Sequence, residues 1–69
     1  MDIERRSPVS RTQLEILRLI NLGFSNHEIA DRMGITVGTT KWHLYQMFRR
    51  LGVGNRTAAA VKGHSLELL

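Results

Sequence analysis

An all-α fold of four short helices is predicted by three features of this sequence. They are serine-led capping boxes, glycines at the far ends of the helical runs, and no alternating polar–apolar stretch long enough for a strand. Ser10 with Gln13 forms the first capping box, and Ile16, Leu17 and Ile20 follow at helical spacing until Gly23 supplies a left-handed stop. Ser25 with Glu28 forms the second, opening the short run NHEIADRM that Gly34 closes. Thr36 is placed to cap a third helix that runs to Leu51 and stops at Gly52. Asn55 is placed to cap a fourth, RTAAAVK, ending near Gly63. Val9 stands where a hydrophobic staple would pack on the first helix. Residues 1–8 read as a loose lead, 9–64 as the folded domain and 65–69 as a C-terminal tail. Leu66 to Leu69 fit either a last turn or a frayed end.

At 69 residues the chain is one small domain, near the size at which a single core barely suffices. It has no cysteine, so neither a disulfide nor a thiolate metal site can staple it. Its apolar runs fall far short of a membrane span and no signal-peptide segment follows Met1, so a cytoplasmic protein without membrane contact is expected. Net charge is +4, and its distribution is more informative than its size. Between Arg32 and Leu66 lie six basic residues (Arg32, Lys41, Arg49, Arg50, Arg56, Lys62) and no acidic one. A basic half on a small domain suits a polyanionic partner, although such charges also serve merely to solvate a surface.

Catalysis is not expected. His27, His43 and His64 lack ligand spacing, and no Gly-rich phosphate loop, paired carboxylates or nucleophile with a base is present. No metal and no cofactor are implied.

The second and third helices, joined by Gly34, Ile35 and Thr36, have the spacing of a helix-turn-helix. Ile29, Ala30 and Met33 form the apolar side of the second, where small Ala30 admits close approach. On the third, steps of 100° gather Thr40, Leu44, Met47, Phe48 and Leu51 into one stripe. Opposite that stripe lie Gly38, Trp42, Tyr45 and Arg49, flanked by Thr39, Lys41 and Gln46. A tryptophan and a tyrosine on an outer face call for a covering partner. Duplex DNA is one such partner, since the second helix of a helix-turn-helix lays its outer face in the major groove. Another protein domain packed on the aromatic pair is the alternative. Leu14 and Leu22 fall on the outer side of the first helix, covered by the C-terminal tail or forming a docking patch.

The stretches EIL (15–17), GFSNHEIA (23–30), GITVGTTKWH (34–43) and LGVGNRTAAAV (51–61), in that order and spacing, resemble the LuxR-type (GerE-like) DNA-binding domain, the output module of many bacterial transcription regulators. The similarity spans roughly residues 9 to 61, and the wording TTKWH is most similar to the MalT-like subgroup. It implies a four-helix LuxR-type fold, a third helix that reads the major groove of double-stranded DNA, and a fourth that carries a homodimer contact on DNA. By position it implies base contacts from Lys41, Trp42 and Tyr45, and backbone contacts from Thr36, Thr39, Asn55 and Arg56. Ser25 and Asn26, at a helix start with unpaired amides, and Arg49, two turns along the groove face, join the expected backbone set. Ser25, Asn26, Thr36 and Asn55 also read simply as caps. Ala58, Val61 and Lys62 are the expected dimer contacts. A regulatory domain upstream of Met1 fits the resemblance, as does a chain that stands alone. The fourth helix argues against a sigma-factor-like promoter-reading helix-turn-helix.

Three positions depart from the family pattern. Thr40 stands where valine is usual, so a hydroxyl enters the core face and is expected to bond back to the Thr36 or Val37 carbonyl. Arg11 stands where proline often opens the first helix. Ala58 stands where an acid is common, leaving the fourth helix more basic. His43 is expected to orient the third helix through a hydrogen bond to the first or second.

Overall fold

The computed structural model describes residues 7–69; the expected lead thus falls for the most part outside the described residues. Four helices follow in order: α1 (Arg11–Asn21), α2 (Asn26–Met33), α3 (Val37–Leu51) and α4 (Arg56–Ser65). No strand occurs among the described residues. Each helix opens on a side-chain oxygen that accepts a first-turn amide. Ser10 Oγ accepts from Gln13 N–H at 3.1 Å, Ser25 Oγ from Glu28 at 3.2 Å, Thr36 Oγ1 from Thr39 at 3.0 Å, and Asn55 Oδ1 from Ala58 at 2.8 Å. The first two boxes close reciprocally, with Gln13 and Glu28 carboxyl or amide oxygens accepting from the Ser10 and Ser25 backbone N–H.

All four helices end alike. One or two residues past each end the backbone turns left-handed, and the next amide reaches back to the carbonyl five residues earlier: Phe24 to Leu19, Ile35 to Ala30, Val53 to Phe48, and Leu68 to Gly63. Gly23, Gly34 and Gly52 supply the left-handed position at the first three. At the fourth it is Glu67, at φ 58°, the one non-glycine residue in that region among those described.

The helix ends therefore bring the chain back on itself, and one core results. Ile16 and Leu17 of α1, Ile29 of α2, and Met47 of α3 are wholly buried, joined by Leu44, Leu51, Ala59 and Leu68. Ala30, 3 % exposed, lets α2 and α3 approach as the helix-turn-helix requires, while α1 packs chiefly on α4. Thr40 is fully buried and its hydroxyl donates to the Thr36 carbonyl at 3.0 Å, which satisfies the polar atom that replaces a methyl.

Two expectations, for Leu14 and for Gly63, need correction, and the alternatives left open for the tail resolve. Leu14 is not on an outer face but 2 % exposed. Val9, at the position before the cap, and Leu14, at the fourth helical position, form the staple pair and share the core cluster with Leu68 of the tail. Leu22 alone stays outside, 68 % exposed. Gly63 is not a stop, because α4 continues to Ser65. Its glycine serves close approach instead: a Cβ there would lie 2.8 Å from Leu69 Cδ1 and 3.0 Å from Leu17 Cδ2. The end of the chain is accordingly a docked turn rather than a frayed one, with Leu68 5 % exposed. His64 Nε2 and Asn21 Oδ1, 3.0 Å apart, add a polar tie between α4 and α1.

Candidate nucleic-acid interface

The phase of α3 settles where its aromatic residues lie. Thr40, Leu44, Met47 and Leu51 are buried along one side, and on the other Trp42 is 59 % and Tyr45 60 % exposed. Lys41, Thr39 and Arg49 are exposed beside them, with no acidic residue anywhere on the helix. Arg49 sits over the Tyr45 ring at 5.9 Å from its centroid, an i, i+4 pair that keeps the guanidinium along the same face. Trp42 meets the edge of His43 at 5.2 Å between ring centroids. His43 is half-buried and its ring makes no hydrogen bond among the described residues, so this ring contact stands in place of the expected tie to α1 or α2.

The helix starts differ in charge. At α3, Thr36 Oγ1 donates to Thr39 Oγ1 at 3.0 Å while accepting the Thr39 amide, which leaves the Thr39 hydroxyl proton free to point outward. Neither α3 nor α4 carries an acid in its first turn, so the positive end of each helix dipole faces solvent unopposed. The start of α2 differs. Glu28 lies in its first turn, and the Ser25 backbone N–H, the Ser25 hydroxyl and then the Arg32 charge hold its carboxyl below its ordinary value. Ser25 thus has its polar atoms engaged in its own capping box.

The fourth helix contributes a residue whose expected place and observed partners differ. Arg56 is half-buried, with Nη1 donating to Asn26 Oδ1 and Nη2 to the Phe24 carbonyl, both at 3.2 Å. These links span about thirty residues of chain, so no local pattern announces them. Asn55 is exposed as the α4 cap, Ala58 is half-buried, and Val61, 65 % exposed, and Lys62 lie on the outer side of α4. The residues described include no group of three or more His, Asp or Glu able to hold a metal ion, and no helix is long and apolar enough to cross a membrane.

Comparisons with known proteins place the chain in a family. The family model described as bacterial regulatory proteins, luxR family, matches residues 7–62. This chain belongs to the luxR family. It is 45% identical over 60 residues to YhjB of Escherichia coli (strain K12), covering 87% of this chain and 30% of that protein. It is 41% identical over 54 residues to the HTH-type transcriptional regulator AlkS of Ectopseudomonas oleovorans, covering 78% of this chain and 6% of AlkS. With the HTH-type transcriptional regulator MalT of Vibrio parahaemolyticus it shares 32% identity over 65 residues, 94% of this chain and 7% of MalT. Among solved structures, the response regulator ChrA of a heme-sensing two-component system superposes with a TM-score of 0.86 at 36% identity, over 88% of this chain and 30% of that one.

The luxR-family chain therefore spans less than a third of the length of these relatives. What the match and the fold establish together is a DNA-binding helix-turn-helix domain of a transcription regulator, all-α and of the LuxR type.

Proposed function

We propose that this domain binds duplex DNA sequence-specifically with α3 in the major groove, two copies meeting through α4. The observation that carries this reading is the exposure of Trp42 and Tyr45 on the side of α3 opposite its buried stripe, with Lys41 and Arg49 beside them. A major groove about 12 Å wide admits one helix, and the first turns of that helix reach the base edges. Lys41 donates to a guanine edge, Trp42 packs on a thymine methyl or sugar, and Tyr45 offers its hydroxyl one turn on. Thr36, Thr39 and Asn55, at helix starts free of acid, meet phosphates, with Arg49 where the helix leaves the groove. Ser25 and Asn26 form the phosphate-facing entry of α2.

The assembly reading rests on Val61, an exposed valine on a helix otherwise small and polar, with Ala58 and Lys62 on either side of it in sequence. So small a surface suits a domain that is monomeric alone and pairs on DNA. A regulatory domain elsewhere in a longer protein accounts for the short span of the match.

The deciding experiment titrates the domain into fluorescent duplex DNA at two salt concentrations. Saturable binding that weakens steeply with salt is expected. Weak binding indifferent to salt would instead favour a protein-interaction module using the same aromatic face. On paired half-sites, two-to-one cooperative binding should peak when the centres lie about one helical turn, ~10 base pairs, apart.

A further inference from the structure

Asn26 presents two chemically different ends, and the fold decides which one faces outward. Its carboxamide has an acceptor oxygen and a donor nitrogen of nearly the same size. A guanidinium has only donors, so the end that meets Arg56 must be the oxygen. Arg56 Nη1 lies 3.2 Å from Asn26 Oδ1. Asn26 Nδ2 has no hydrogen-bond partner among the described residues, and none of their buried side-chain polar atoms is unpartnered, so Nδ2 opens to solvent. The second arm of the fork donates to the Phe24 carbonyl at 3.2 Å, at the corner between α1 and α2. Arg32 stacks on the same corner, its guanidinium carbon 4.3 Å from the Phe24 ring centroid. Both ends of the Phe24–Asn26 segment are thereby fastened to Arg56, at the first turn of α4.

We propose that Arg56 is a positioning residue for DNA binding. It fixes the Asn26 carboxamide with its N–H donors outward, toward a backbone phosphate, and sets the entry of α2 against the start of α4. The proposal rests on the DNA-binding reading above, and replaces a direct phosphate contact by Arg56 with an indirect one. Its geometry needs a fork. A lysine carries the same charge but a single ammonium, and cannot serve the Asn26 oxygen and the Phe24 carbonyl in the same planar arrangement.

The test compares Arg56→Ala, Arg56→Lys and Asn26→Asp, using a fluorescein-labelled mixed-sequence duplex across a salt series, with thermal unfolding of each variant. Wild-type domain must first show salt-dependent saturable binding; its failure to do so would sink the DNA reading, independently of Arg56. Given that binding, Arg56→Ala and Arg56→Lys should weaken affinity alike, on the order of tenfold, with the log–log salt slope unchanged. Asn26→Asp keeps the acceptor for Arg56 and so should unfold at the wild-type temperature or higher, yet lose at least as much affinity, because a carboxylate oxygen replaces the outward donor. Arg56→Lys binding as tightly as wild type, or a slope lowered by about 0.9 in Arg56→Ala, would overturn the proposal in favour of a direct phosphate contact. Unimpaired binding by folded Asn26→Asp would overturn it as well, and that variant keeps the test decisive should Arg56→Ala fail to fold.

Discussion

Thr36 and Thr39 hold each other at the entrance of α3: the Thr36 hydroxyl donates to the Thr39 hydroxyl at 3.0 Å and accepts the Thr39 backbone amide at the same distance. One residue on, the Thr36 carbonyl takes the hydroxyl of buried Thr40. A single threonine thus starts the helix, orients an outward hydroxyl and satisfies an inward one. Thr36→Ala removes the cap and should cost about 1 kcal/mol of stability by urea unfolding. Thr36→Ser retains the oxygen and should lose much less. Equal losses would show that the methyl, not the hydroxyl, matters there.

Trp42→Ala should leave the fold unchanged, since the indole is 59 % exposed and contacts His43 at its edge rather than the core. Loss of a full base contact weakens specific binding by about 1–3 kcal/mol. Circular dichroism and DNA titration of the same variant check both halves. In the wild type the indole fluorescence should change on adding cognate duplex.

Arg49 lies along the groove face over Tyr45 and has no carboxylate on its helix to neutralise it. If it neutralises one phosphate, Arg49→Ala should weaken binding to all duplexes alike and lower the log–log salt slope by about 0.9. An unchanged slope removes Arg49 from the backbone contacts.

Glu67 occupies a left-handed position that the three other helix ends give to glycine. Holding a side chain there costs roughly 1–2 kcal/mol, against a glycine entropy cost of about 0.5–1 kcal/mol. Glu67→Gly should therefore stabilise the domain by ~0.5–1 kcal/mol, read from the shift in the denaturation midpoint. Leu68→Ala, which empties the core position that this turn delivers, should destabilise it by about 2–5 kcal/mol.

Acidification should act through Glu28. Its carboxyl is held below the ordinary value of 4.5 by the Ser25 backbone and hydroxyl donors and by Arg32. A carboxylate with a depressed folded-state pKa contributes stability that is fully present above its unfolded value and is lost as pH falls through the folded one. The stability gap between wild type and Glu28→Gln at neutral pH should close over that acidic window. A gap that persists to the acid limit would mean that the ionised capping box is not its source.

Features that depend on neighbours three to five residues apart could be read along the chain. The caps at Ser10, Ser25, Thr36 and Asn55 were legible because each bonds an amide three residues on. The exposure of Trp42 and Tyr45 was legible because helical phase alone opposes them to Leu44 and Met47. Packing between distant segments settled the rest. Leu14 in α1 and Leu22 just past its end look alike by helical phase, yet Leu14 joins Val9 and Leu68 in the core while Leu22 stays exposed. The fourth helix was expected to end near Gly63, but it runs on to Ser65, and close approach to Leu17 and Leu69 is what the glycine permits. Arg56 was expected near phosphates from the family resemblance alone, and its bonds to Asn26 and Phe24, about thirty residues away, carry no local signal. Local hydrogen bonds have fixed sequence spacing and can be counted along a chain. Packing and forked side-chain contacts join segments whose separation carries no period, so they exist only once the helices have met.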